Sequence, residues 1–235
     1  MNTNKKVIWD FGIPLLILFG FTFVFWFTDV DILLSSCFYS SEKGWFLKRK
    51  EPWNFLYRYG GVPGITLGLA SLAAIGVSFI SIRVRPYRKA AIFLVVVLAL
   101  GPGLVTGFFK ETWGRPRPRK IENFGGPEQF LPVWKMGTSG RFKSFPSSHA
   151  SIGFYLFAPY FVLRRTASTW ARFSLSAGII YGTLMGIGRI AQGGHFASDV
   201  LWAAGFTYLT GLVLCYAFRF DTTIPRRGHD PIISG

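Results

Sequence analysis

Long apolar runs alternate with short polar clusters along this chain. The clearest run, residues 90–109, contains 20 residues and no charge. At about 1.5 Å of helix per residue, such a run crosses a hydrocarbon core of about 30 Å. Similar but less regular runs lie at residues 9–28, 61–82, 149–163, 173–188 and 200–218. The pattern predicts an all-α polytopic membrane protein, one domain over residues 1–235, with six transmembrane helices in one bundle.

Composition agrees with this prediction. Half of the residues are hydrophobic, 18% are aromatic and only 16% are charged, which is too apolar for an ordinary soluble domain. Cys37 lies in a predicted loop and Cys215 in the last predicted helix, near opposite membrane faces, so we expect no disulfide between them. Metal-ligand spacing is absent from the sequence, and we expect no cofactor and no nucleic-acid partner.

The distribution of lysine and arginine predicts the orientation. With six spans, 12 of these residues fall on the side of both termini and 14 on the other side. The segments that carry the 12 are together roughly half as long as the segments that carry the 14, so their density of positive charge is higher. Loops rich in lysine and arginine stay in the cytoplasm. We therefore expect residues 219–235 to form a cytoplasmic tail. Residues 28–60 would then form a periplasmic interfacial segment and residues 110–147 a periplasmic loop.

Three polar clusters fall on the predicted outer face. Lys110 ends the third run, His149 begins the fourth, and residues 189–199 join the fifth to the sixth. Ionisable groups at the edge of a bilayer are usually paired or functional. Their common position predicts one site, at a depth that suits the phosphate of a lipid.

The first two clusters offer positive charge and a helix start. Lysine acts as a point charge and arginine as a planar fork for phosphate oxygens, so Lys110 and Arg117 could neutralise one phosphoryl group. Residues before proline adopt extended conformations, which predicts a stiff segment around Arg115 and Arg117. Ser147 would cap a helix whose free N–H groups attract anions, with His149 beside them. A basic patch touching headgroups and a simple helix cap are the alternatives.

The third cluster pairs a histidine with a carboxylate. His195 and Asp199 are four residues apart, so on a helix starting near Gly194 they would share a face. The carboxylate would then orient the imidazole and stabilise its positive charge, which makes histidine a nucleophile. Arg189 adds a further phosphate-directed group across the glycine turn. A plain His–Asp hydrogen bond at a helix end is the alternative.

In this order and spacing, the residues resemble the three-part signature of the type 2 phosphatidic acid phosphatase superfamily, which includes vanadium haloperoxidases. Lys, six residues, Arg-Pro fits Lys110 and Arg117. Pro-Ser-Gly-His fits residues 146–149, with Ser148 in place of glycine. Ser-Arg, five residues, His, three residues, Asp fits residues 188–199, with Gly188 in place of serine.

The resemblance implies a metal-independent phosphatase. His195, oriented by Asp199, would attack phosphorus and form a phosphohistidine, while His149 protonates the leaving oxygen and later activates water. The remaining signature residues would bind the phosphate oxygens: Lys110, Arg117, Arg189, Ser147 and Ser148.

The substrate is less determined by the sequence. The basic residues in excess of what one phosphate requires suggest a headgroup with more than one phosphate or a sugar phosphate, although solvated headgroup contacts explain them nearly as well. They are Arg115, Arg119, Lys120, Arg141 and Lys143, of which the first three are candidate headgroup contacts. Phe124-Gly-Gly ahead of residues 144–151 is similar to bacterial lipid A 1-phosphatases. We therefore expect removal of the 1-phosphate of lipid A at the periplasmic face of a bacterial inner membrane.

Other functions stay open at this point. A phosphatidylglycerophosphate or undecaprenyl pyrophosphate phosphatase of similar build is the alternative enzyme. A transporter of anionic lipids is more distant, because it would carry polar groups near the membrane midplane. In residues 28–60, aromatic side chains interleave with Lys48, Arg49 and Lys50. This segment could guide lipid to the site, or it could be simple loop packing.

Overall fold

The computed structural model describes residues 3–221, with side chains from residue 5 onward. Most of the predicted cytoplasmic tail therefore lies outside the described residues. The described chain forms, in order, α1 (Thr3–Phe27), α2 (Val30–Ser36), β1 (Tyr39–Ser40), β2 (Gly44–Trp45), α3 (Trp53–Tyr59), α4 (Val62–Val77), α5 (Arg88–Leu98), α6 (Thr106–Thr112), α7 (Ser148–Phe154), α8 (Ala158–Leu163), α9 (Ser168–Ala191) and α10 (Ala197–Ala217).

Within residues 3–221, five helical stretches are long and apolar enough to cross a membrane. They are Lys5–Phe27, Trp53–Val77, Arg85–Thr112, Ser168–Ala191 and Ala197–Ala217. The predicted run at residues 149–163 is also helical, but it consists of α7, a 3₁₀ turn at Tyr155–Phe157 and α8, with 7, 3 and 6 residues. This stretch is shorter than the five others. The helical membrane architecture is thus confirmed, and the count of six spans is not.

Several boundaries differ from the predicted ones. The second span begins at Trp53 instead of residue 61, because α3 leads almost directly into α4. The third span contains a π-helical segment, Ala99–Val105, around Pro102. Proline has no N–H to donate to the preceding turn, and a wider turn accommodates it within the helix. The fifth span continues to Ala191, so Arg189 lies on the helix rather than beyond it.

The bundle core lies where the short helices α7 and α8 pack against α9. Gly178 and Gly182 of α9 permit this close contact: a Cβ atom at Gly178 would lie 2.3 Å from the backbone nitrogen of Phe157, and one at Gly182 would lie 2.2 Å from the Phe154 ring. Phe157 and Phe154 are both buried. A larger residue at either position would force α9 away from its neighbours.

The ends of four helices meet beside this core. The last turn of α6, the start of α7, the end of α9 and the start of α10 carry the three polar clusters. Only residues 192–196 separate α9 from α10, while a long loop joins α6 to α7. The 28–60 segment is not an open loop, because it forms α2, the antiparallel β1–β2 hairpin and α3.

Candidate active site

His195 and Asp199 come together through a helix cap rather than along one helical face. The α10 helix begins at Ala197, with Phe196 as its N-cap, so His195 precedes the helix that was expected to start near Gly194. The Asp199 carboxylate accepts a hydrogen bond from the Phe196 backbone N–H at 2.9 Å. His195 Nδ1 lies 3.6 Å from Asp199 Oδ2, just beyond hydrogen-bonding distance. The carboxylate thus faces the imidazole and fixes the turn that carries it.

The His195 imidazole is uncharged at neutral pH. Its side chain is 2% exposed. Burial lowers the pKa of His195 to about 3, although Asp199 opposes this shift. A neutral ring keeps one nitrogen lone pair free, as a nucleophile requires, and a proton on Nδ1 facing Asp199 leaves that lone pair on Nε2.

Arg115 is the main partner of the Asp199 carboxylate. It donates from Nη1 to Asp199 Oδ1 at 2.6 Å and from Nη2 to Asp31 Oδ2 at 2.8 Å. Ser144 Oγ donates to Asp199 Oδ2 at 2.6 Å. These bonds occupy much of the accepting capacity of the Asp199 carboxylate and hold it in one orientation.

The position of Arg115 corrects the expectation that it contacts a lipid headgroup. The side chain is completely buried, and its Nε donates to the Leu131 carbonyl at 2.9 Å. Burial opposes the charge, but the Asp199 and Asp31 carboxylates more than offset this and raise the pKa of Arg115. A buried guanidinium needs such partners. Sequence reasoning missed Asp31, whose only signal was an acidic residue within an aromatic and aliphatic stretch.

Two further cations lie near His195. Lys110, in the last turn of α6, donates to the Pro146 carbonyl at 3.3 Å. Arg189, 6% exposed, donates from Nη1 to Gln192 Oε1 at 2.6 Å. Within the described part of the chain, Arg189 Nε is buried and has no hydrogen-bond partner. It is therefore a donor available to an anion.

Arg117 completes the group of cations. Its backbone is extended, with φ −79° and ψ 155° before Pro118, as predicted for a residue preceding proline. Burial lowers the pKa of Arg117, and the neighbouring charge of Arg119 lowers it further. The two like charges repel each other, and an anion bound between them would offset this repulsion.

His149 is the second residue of α7 and lies against an aromatic ring. Its imidazole stacks on the Tyr57 ring, with centroids 5.1 Å apart and the planes at 24°. The Arg189 guanidinium lies 4.5 Å from the centroid of the same ring. Tyr57 of α3 thus positions two predicted site residues. The sequence placed Tyr57 only among the interfacial aromatic residues.

The start of α7 has the predicted serine cap. Ser147 is buried, and its hydroxyl accepts a long hydrogen bond, 3.5 Å, from the Ala150 backbone N–H. The Ser147 hydroxyl therefore caps the α7 helix. Ser148, half-buried, is the first residue of α7, where backbone N–H groups have no partner within the helix and point toward an anion.

Gly188 faces α3. A Cβ atom there would lie 3.4 Å from the Trp53 ring and 3.9 Å from Leu56, so the position packs against α3. Glycine in place of serine at this position fits the contact between α9 and α3.

A cavity of about 450 Å³ opens beside Tyr57, Arg117 and Arg189, and neither histidine lines it. It is lined by Lys48, Arg49, Asn54, Tyr57, Arg58, Arg117, Arg119, Arg189 and Gln192. Arg119 thus joins Arg117 and Arg189 at the cavity, whereas the exposed Lys120 is not part of its lining. Lys48, Arg49 and Arg58 come from the segment that the sequence assigned to the membrane interface.

Comparison with known proteins agrees with the signature. The family model of the PAP2 superfamily matches residues 89–223. The protein named lipid A 4′-phosphatase from Francisella tularensis subsp. novicida (strain U112) is 33% identical over 208 residues, which cover 86% of this chain and 91% of that protein. No solved structure matches the chain. The chain belongs to the PAP2 superfamily and is a membrane phosphatase, a hydrolase of phosphoric monoesters.

Proposed function

We propose that this phosphatase removes a phosphate from lipid A through a phosphohistidine on His195, without a metal ion. The observation that carries the proposal is the buried, neutral His195 facing Asp199, with three cations and His149 at the same end of a membrane bundle. Family membership favours hydrolysis over the transport of anionic lipids, which was the more distant alternative.

In the first step, His195 Nε2 attacks phosphorus opposite the lipid oxygen. The N–P bond forms and the P–O bond to the lipid breaks. His149, which takes up a proton when the anionic phosphate binds beside it, gives that proton to the leaving oxygen. The His195 ring gains positive charge as the N–P bond forms. The Asp199 carboxylate stabilises that charge, and Arg115 holds the carboxylate in place.

In the second step, His149 takes a proton from water as the water oxygen attacks the phosphohistidine. The N–P bond breaks, inorganic phosphate leaves and both histidines return to their starting states. Stacking on Tyr57 holds the His149 imidazole at the start of α7 during both steps.

Negative charge on the phosphoryl oxygens is balanced by fixed groups of the protein. Lys110, Arg117 and Arg189 supply positive charge, and the first backbone N–H groups of α7 supply further donors. The unpaired Nε of Arg189 is one donor ready for an oxygen. Activity is therefore expected to survive excess EDTA, and orthovanadate, which mimics five-coordinate phosphorus, is expected to inhibit.

For the substrate, the relative from Francisella supports lipid A and favours the 4′-phosphate as the group removed. The sequence favoured the 1-phosphate, from the Phe124-Gly-Gly segment. Phe124 is buried, 5.1 Å from the Trp45 ring and 5.2 Å from the Tyr39 ring, and the segment does not line the cavity. Its similarity to 1-phosphatases therefore carries little weight for the position, and the 1-phosphate is the second candidate.

Purified protein incubated with bisphosphorylated lipid A tests the proposal. Tandem mass spectrometry is expected to show a product one phosphate lighter, and its fragments identify the lost group. His195→Ala is expected to abolish release while the protein stays folded, because residues 192–196 need no imidazole to form their turn. Phosphate release by the folded His195→Ala protein would contradict the mechanism.

His149 gives a second test of the mechanism. With a substrate whose leaving group needs no proton, His149→Ala is expected to leave an acid-labile phosphoenzyme that is stable in mild alkali. Rapid hydrolysis of phosphatidylglycerophosphate or undecaprenyl pyrophosphate beside unchanged lipid A would overturn the choice of substrate and leave the phosphatase chemistry in place.

A further inference from the structure

The cavity lined by Arg117 and Arg189 holds more positive charge than one phosphate needs. In the proposed mechanism, Lys110, Arg117 and Arg189 bind the phosphate to be cleaved. The cavity adds four further basic side chains: Lys48, Arg49, Arg58 and Arg119. No carboxylate lines it, and none of its six basic residues forms an ion pair among residues 5–221.

Other surplus cations of the outer loop do have acidic partners. Arg141 pairs with Glu128 at 2.8 Å, and Lys143 pairs with Glu111 at 2.6 Å. The sequence had counted both among the residues that could bind a multiply phosphorylated headgroup. The structure leaves positive charge unbalanced at the cavity instead.

The segment that carries Lys48 and Arg49 is attached to the catalytic turn. Gln192 uses its Oε1 to accept from Arg189 and its Nε2 to donate to the carbonyls of Lys48, at 3.4 Å, and Trp53, at 3.1 Å. One amide thus connects α9 to both the 48–53 segment and the start of α3, which carries Arg58.

Arg119 is attached to the same turn from the other side. Its backbone N–H donates to the Gly193 carbonyl at 3.2 Å. Gly193 has φ +62°, and a Cβ atom there would lie 2.4 Å from the Trp45 ring, so the β1–β2 hairpin rests directly on the turn. The backbone segments that carry the four additional cations are therefore held against the turn that carries His195.

The cavity is also large enough for more than one phosphoryl group. Its volume of about 450 Å³ falls within the range of about 300–1,000 Å³ typical of sites for whole small ligands. Asn54 and Tyr57 add polar groups of the kind that bind sugar hydroxyls. A phosphorylated sugar fits this combination of volume, charge and polarity.

We propose that Lys48, Arg49, Arg58 and Arg119 form a second phosphate site, which binds a phosphate of the same substrate molecule that is not cleaved. This inference rests on the proposed function, because it requires a lipid with two phosphates. The site would select a bisphosphorylated glycolipid over a monophosphorylated one and would set which of the two phosphates reaches His195.

The test compares two substrates in neutral detergent micelles: bisphosphorylated lipid A, and lipid A that retains only the phosphate that the enzyme removes. Arg58→Gln is expected to lower kcat/KM for the first substrate about tenfold more than for the second, since it removes one charge-assisted contact. Lys50→Gln is the matched control, because Lys50 is exposed on the same segment and does not line the cavity. The Lys50→Gln variant is expected to leave the ratio of kcat/KM for the two substrates unchanged.

An equal loss on both substrates, or an equal change in Arg58→Gln and Lys50→Gln, would overturn the second site. Phosphatidylglycerol added to the micelles separates the two sources of phosphate. If the selective loss appears only with phosphatidylglycerol present, the ligand is a neighbouring lipid and the proposal is wrong.

If the wild-type protein hydrolyses neither substrate, the proposed function fails, and binding then decides the second site. Bisphosphorylated lipid A is expected to bind the His195→Ala protein about tenfold more tightly than the protein that also carries Arg58→Gln. Equal affinities would overturn the second site independently of hydrolysis.

Discussion

At the scale of single residues, Arg115 shows how far the sequence could be interpreted. Arg-Pro spacing predicted a cation on an extended segment near the phosphate. It could not predict that the side chain would turn inward, because this depends on Asp31, 84 positions away in the chain. By contrast, His149, His195, Asp199, Lys110, Arg117 and Arg189 were all identified from the sequence and lie at one end of the bundle, because short motifs at helix ends fix their own local geometry.

Asp31 provides a prediction about stability. Asp31→Asn removes one of the two carboxylates from the buried Arg115, and we expect the free energy of unfolding to fall by about 3 kcal/mol. Glu128→Gln is the control, because it removes an ion pair whose Arg141 partner is 59% exposed. Exposed pairs contribute about 0–1 kcal/mol. Thermal unfolding in detergent measures both variants, and equal losses would contradict the role assigned to Asp31.

His195 provides a prediction about pH. The unfolded chain binds a proton on this histidine near pH 6.5, while the folded protein does so only near pH 3. The unfolded state therefore takes up the proton first, and stability falls as the pH falls below about 6.5. By pH 5 the loss is about 2 kcal/mol. Unfolding measured at pH 7 and pH 5 is expected to show a smaller drop in His195→Gln than in the wild type. An identical drop would show that His195 is not held neutral.

At the scale of helices, apolar runs located the five membrane-length helices of the described residues, but not all of their ends, and the sixth predicted span is the interrupted α7–α8 stretch. Apolar length alone could not distinguish a straight helix from α7 and α8 with a 3₁₀ turn between them. Apolar length also could not show that the second span begins at Trp53, because the aromatic and basic residues of α3 are typical of both a membrane interface and a loop. Hydropathy records burial in lipid, whereas these features depend on packing within the protein.

The contact between α9 and the α7–α8 stretch yields the next prediction. Gly178→Ala would place a methyl group 2.3 Å from the Phe157 backbone, which cannot rotate away, so we expect a loss of about 1–3 kcal/mol. Gly20→Ala in α1 is the matched control, because nothing lies within 4 Å of its added Cβ atom. Thermal unfolding of both variants tests this, and equal stability would show that the helices adjust freely.

At the scale of the whole molecule, lipid contact and orientation are separate questions. The outer surface of α1 is apolar, with Leu16 75% exposed and Phe23 63% exposed, as expected for a helix facing acyl chains. The net charge of +15 does not by itself choose a side of the membrane. The density of lysine and arginine does, and it predicts that the site faces the periplasm.

Cysteine labelling tests this orientation. In a Cys37→Ser background, Asn123→Cys is expected to react with an impermeant maleimide in intact cells, because the loop that carries it lies on the side of the site. Tyr87→Cys, at a position 67% exposed between α4 and α5, is expected to react only after lysis. Labelling of Tyr87→Cys from outside would show that the protein has the opposite orientation in the membrane.

The ion pair of Asp31 with Arg115 also determines how the chain can be divided. The family match begins at residue 89, yet Asp31, Tyr57 and the Lys48 carbonyl, all from outside it, complete the surroundings of Arg115, His149 and Gln192. A fragment limited to the matched portion would carry a buried guanidinium with one of its two carboxylates missing. Chimeras that exchange the first 88 residues between relatives must therefore keep an acid at the Asp31 position, while the proposed second phosphate site predicts that exchanging the basic positions around Arg58 alters which lipid is accepted.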